Sequence, residues 1–261
     1  MGRKKICRAV SVVALSTLLL LLCACGKTDH NEDGSSNLGH WGRALSALSM
    51  QTLGGDPVVF GGGLPEDTVK AALEVRGVTT REQLLETLQF RLRHGAREDY
   101  HFDADVLTAY SEEELEAALS ELDETQQAHY RRVLDVANQW GEDGLLAVDA
   151  AEAALLVQLG YRAELLTHEE AQALVEPAAQ LVKDRFSSWD DLLQNLLDGR
   201  RVTDKLDEDS EELQVLTERL AALREDDDTG DLLFDDALFS QDITPIEDVS
   251  ANTILSDNDA T

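Results

Sequence analysis

The chain has 261 residues, with 52 acidic against 22 basic side chains and a formal net charge of −30. A field of that sign repels nucleic acid and anionic lipid surfaces, and no basic stripe interrupts it, so nucleic acid is excluded as a partner. Length and a hydrophobic content of 43% suffice for one real core.

The first element is a short apolar run, residues 9–24, behind a basic start of Arg3-Lys4-Lys5 and Arg8. A charged stretch, an apolar stretch and small residues before a cut site make a secretory signal. The run is shorter than the about 20 apolar residues that a spanning helix needs, and Ser11, Ser16 and Thr17 break it. It ends in Leu22-Cys23-Ala24-Cys25, which resembles the lipobox of bacterial lipoproteins. That resemblance implies a diacylglyceryl group on Cys25, cleavage before it, and a place on the extracytoplasmic face of a bacterial membrane. An uncleaved anchor and a cleaved signal without lipid are the rival readings. Cleavage removes Cys7 and Cys23, so no disulfide and no cysteine metal site is expected in the rest. It also removes four basic residues, taking −30 to about −34.

Residues 25–37 are polar and read as a tether. The body, 38–224, reads as helix after helix. Trp41, Leu45 and Leu48 share one face; so do Leu84, Leu85, Leu88 and Leu92, and again Leu155, Leu156 and Leu159. Starts are marked by a hydroxyl with Glu three residues on: Thr79 with Glu82, Ser111 with Glu114, Thr167 with Glu170. Ser188 with Asp191 is a variant. Gly95, Gly141, Gly160 and Gly199 follow periodic segments and read as stops. Pro177 falls inside a helix and predicts a kink. The only β-like run is Pro57-Val58-Val59-Phe60, between glycines. Gly61-Gly62-Gly63 lacks the Lys-Ser/Thr of a phosphate loop. The expected fold is all-α, a single domain of about seven to nine helices. After Arg224 no Lys or Arg recurs, and residues 225–261 read as an acidic, disordered tail. Within it Leu232-Leu233-Phe234 and Leu238-Phe239 have the acidic-hydrophobic character of segments that fold on a partner.

Four stretches carry a resemblance to a bacterial family, the domain of unknown function 1266. They are Trp41-Gly42-Arg43-Ala44-Leu45; Gly77-Val78-Thr79-Thr80-Arg81-Glu82 with Gly95 and Arg97; Leu165-Leu166-Thr167-His168-Glu169-Glu170; and Gln180, Phe186-Ser187-Ser188-Trp189-Asp190-Asp191 with Gly199-Arg200. The family often has Trp-Asp-x-x-Arg in its central helix, where this chain has Val148, Asp149 and Glu152. It often has Gly-Tyr where this chain has Glu164-Leu165. The resemblance implies fold and kinship but no reaction.

Candidate chemistry is sparse. His94 and His101, among Glu98, Asp99, Asp103 and Asp105, have the residue types of a metal site or an acid-base pair, but their spacing fits no ligand template. No metal ligand set and no cofactor is expected. Asp149, in a helix of Ala and Leu, is expected to turn inward and meet an Arg such as Arg200 or Arg201; a functional acid and a simply exposed side chain are the lesser readings. Trp189 is expected in the core, against Phe186. The leading reading is a lipid-anchored, non-enzymatic helical module that binds a cationic protein. The alternatives are a metal-assisted hydrolase using His94 and His101, and an acidic immunity or inhibitor protein.

Overall fold

The computed structural model describes residues 36–225, 232–246 and 249–257. The signal, Cys25, the tether up to residue 35 and the Asp226-Asp227-Asp228 run lie outside the described residues. Twelve α-helices form, and no strand occurs among the described residues. In order they are α1 (Leu38–Thr52), α2 (Glu66–Glu74), α3 (Arg81–Arg93), α4 (Arg97–Thr108), α5 (Glu112–Ser120) and α6 (Glu124–Trp140). After a 3-10 turn, Gly141–Asp143, come α7 (Leu146–Arg162), α8 (His168–Lys183), α9 (Trp189–Thr203), α10 (Glu211–Arg224), α11 (Asp236–Ser240) and α12 (Ala251–Asp257).

The helix α7 is the axis of the body. Fourteen of its seventeen residues are buried, so it is apolar all round rather than on one stripe, as a central helix must be. Around it pack α1, α2, α3, α8 and α9, while α4 lies on α6. Among the described residues no single helix is long and apolar enough to cross a membrane.

Helix starts follow the side-chain oxygens. Ser111 and Thr167 each close a reciprocal capping box with Glu114 and Glu170. Asp123 with Gln126 makes a third, which the hydroxyl-to-Glu pattern misses. At α3 the pattern is shifted by one residue: Thr80 is the cap and accepts from the Gln83 amide, while Gln83 turns back to the Thr79 amide. Ser188 caps α9 through the Asp191 amide.

Only two of the four expected glycine stops are stops. Gly95 and Gly141, at φ of 64° and 56°, end α3 and α6. Gly160 and Gly199 instead lie inside α7 and α9, where a neighbour comes too close for a side chain. A Cβ on Gly160 would overlap the Leu84 side chain, and one on Gly199 would stand 2.6 Å from Val148 Cγ2. The left-handed residue after α7 is Glu164, at φ 59°. Residues 57–60 form turns rather than a strand, with the Gly62 amide bonded to the Val59 carbonyl at 2.8 Å. Pro177 sits within α8.

Most of the tail is not disordered. Residues 232–246 and 249–257 pack on the body, burying Leu233, Leu238, Phe239 and Ala251. The Phe239 ring lies 5.0 Å from Trp189 and 5.6 Å from Trp41, centroid to centroid. Trp189 Nε1 donates to the Asp235 carbonyl at 2.9 Å and Lys183 Nζ to that of Phe239 at 2.7 Å. Asn37 binds both sides of one stretch, donating to the Asp242 carbonyl and accepting from the Thr244 amide. The few apolar residues among the aspartates are thus enough, because the partner on which they fold is this chain's own α1, α8 and α9.

Candidate functional site

Three polar side chains interrupt the buried surface of α7, and each fastens a different neighbour. Asp149 is 1% exposed. Its carboxylate accepts from the Ala96 amide at 2.7 Å, the Arg97 amide at 3.2 Å and the Arg97 guanidinium at 2.8 Å. Burial pushes its carboxyl above the usual range, and the two amides and Arg97 act against that shift. The acid therefore sits at the N-terminus of α4, where free amides favour an anion, and locks the turn between α3 and α4 onto α7. Gly95 makes the approach feasible, since a Cβ there would overlap the carboxylate.

One turn on, Glu152 meets Arg76 at 3.1 Å and Arg200 at 3.8 Å, joining the end of α2 to α9. Deeper still, Gln158 donates to the Gly42 carbonyl at 2.8 Å and to Ser46 Oγ, and accepts from the Gly61 amide at 2.8 Å. It ties α1 and the glycine loop to the axis. From α9, Asn195 accepts from the Ala147 amide and donates to the Asp143 carbonyl, holding the start of α7. Beside it Tyr100 donates to the Gly141 carbonyl at 2.6 Å. Burial, with Asp143 nearby, pushes the Tyr100 hydroxyl up to about 12, so it stays a neutral donor.

The structure redistributes the expected pairs. Asp149 meets Arg97, with Arg91 at 4.0 Å, and not Arg200 or Arg201. Arg200 lies between Glu152, Asp204 and Ser49, and Arg201 faces Asp135 at 3.6 Å. Asp149 and Glu152 thus each recruit an arginine from outside α7. Trp189 is fully buried, but its rings are Trp41, Phe234 and Phe239; Phe186 lies instead against Trp140.

His94 and His101 are given separate partners. His94 is half exposed, 3.4 Å from Glu98 and stacked on Phe90. His101 Nε2 bonds the Glu142 carbonyl at 2.7 Å. None of these contacts sets a base against a nucleophile. Among the described residues no group of three His, Cys, Asp or Glu stands close enough to hold a metal ion. A cleft of about 510 Å³ opens beside the α7–α8 turn. Its Arg81 already binds Glu170 and the Leu165 carbonyl, and its Arg162 binds the Leu64 carbonyl. Asn195 and Gln158 were hidden from composition alone, although a Gln inside Leu155-Leu156-Val157-Gln158-Leu159 is a visible irregularity.

No curated protein and no solved structure matches this chain. A family model described as protein of unknown function (DUF1266) matches residues 76–228, more than half of the chain. That range takes in α3 to α10, Asp149 and its partners, and leaves out α1 and the docked tail. The chain belongs to the DUF1266 family.

Proposed function

We propose that this protein is an extracytoplasmic lipoprotein, held to a bacterial membrane by lipid on Cys25, whose helical body binds a cationic partner protein. The observation that carries the address is Leu22-Cys23-Ala24-Cys25 behind the basic start and its apolar run. A thioether-linked diacylglycerol has two acyl chains, which anchor stably where one does not. From Cys25 to Leu38 the tether reaches at most about 45 Å, which keeps the body near the surface. Its own charge keeps it off anionic lipid and attracts positive partners. The polar groups of α7 support a non-enzymatic role, because they are engaged in holding helices together.

Intact-mass analysis of the protein extracted from membranes tests the address. The expected mass is that of a chain beginning at acylated Cys25, absent from Cys25→Ala. An unprocessed mass overturns the anchor.

A further inference from the structure

The helix α4 has two apolar faces, and among the described residues only one is covered. Tyr100, Ala104 and Leu107 are buried, on the side that meets α6. Phe102 is 72% exposed and Val106 44%, and Tyr110, just past the helix end, is 45% exposed. A spacing of four places Phe102 and Val106 on adjacent turns of one face. Ala109 keeps helical backbone angles, so Tyr110 follows one turn further. Single exposed apolar residues are ordinary, but three in helical register make a stripe.

Carboxylates rim it. Asp99 stands one turn before Phe102 and Asp105 one turn after it, both exposed; Glu112 and Glu113 follow Tyr110. None of these four has an ion-pair partner among the described residues. Against the same helix lies a cleft of about 440 Å³, lined by His101, Asp105, Thr108 and, from the turn after α6, Gly141 and Glu142. It contains two carboxylates and neither Lys nor Arg.

A second copy of this chain is a poor occupant. A two-fold pairing would set these acids against themselves, on molecules of net charge −30. An anionic membrane is repelled for the same reason. We infer that the outer face of α4 docks a cationic amphipathic helix of a partner protein, its apolar ridge on Phe102, Val106 and Tyr110 and a Lys or Arg side chain in the cleft beside Asp105 and Glu142. This is the helix-on-groove mode of recognition. It rests on the cationic-partner reading above and names the surface.

The test titrates the full chain with a fluorescent amphipathic helix of Leu and Lys, and with a scrambled peptide of equal charge. Phe102→Ser with Val106→Ser removes the stripe, and Asp105→Asn with Glu142→Gln neutralises the cleft. All four side chains face solvent or the cleft, and circular dichroism checks that the variants stay folded. The expected result is preference for the amphipathic helix, weakened at least tenfold by either pair. Equal binding by wild type and Phe102→Ser/Val106→Ser overturns this surface but leaves the cationic-partner reading standing. Failure of both peptides to bind at low salt overturns both. Self-association in sedimentation, or binding to anionic vesicles, lost with the stripe, overturns the proposal in favour of those occupants.

Discussion

Removing the Asp149 carboxylate leaves the Arg97 guanidinium, 11% exposed, with the Arg91 and Leu92 carbonyls but without its counter-charge, and two amides without an acceptor. Asp149→Ala should therefore cost about 3 kcal/mol or more, read as a lower urea midpoint. The pH dependence has a definite sign. Because the folded carboxyl titrates above 3.8, the folded state binds its proton more tightly than the unfolded chain does. The stability due to that proton is fully present below 3.8 and is lost as pH rises through the folded value. The margin of wild type over Asp149→Asn should shrink over that window. That Asp149 is buried and paired follows from one acid among Ala and Leu. That its partner is Arg97 does not, because the choice depends on how α3 and α4 turn against α7. Glu164 offers a residue-scale gain. It occupies a left-handed backbone position, and no Cβ suits that conformation well. Glu164→Gly should raise stability by about 1 kcal/mol, the usual cost of such a position, measured as a higher melting temperature.

At the level of elements, the tail shows how composition misleads. Net charge and few apolar residues predict disorder, yet Leu233, Leu238 and Phe239 are buried, with the Phe239 ring against both Trp41 and Trp189. Phe239→Ala should cost about 3 kcal/mol and shift tryptophan emission to the red. If the tail docks only loosely, neither the urea midpoint nor the emission will move. Helix starts were legible because a cap is a contact between residues three apart. Gly160 and Gly199 were not, because a glycine that ends a helix and one that admits a neighbour look alike until Leu84 and Val148 are in place.

For the molecule as a whole, the all-α fold and the family were both legible, since periodicity, caps and the motif around Ser188 are local patterns. The closing of the body was not, since it joins the two ends of the ordered chain. Asn37 reaches Asp242 and Thr244 across 205 and 207 positions of sequence. Time is the consequence. A chain made from its N-terminus presents α1 early, yet Trp41 waits for Phe239 before it is covered. The usual order, in which early segments settle early, is reversed. An early helix is sealed late, and a chain cut short before Phe239 leaves the ribosome with that seam open.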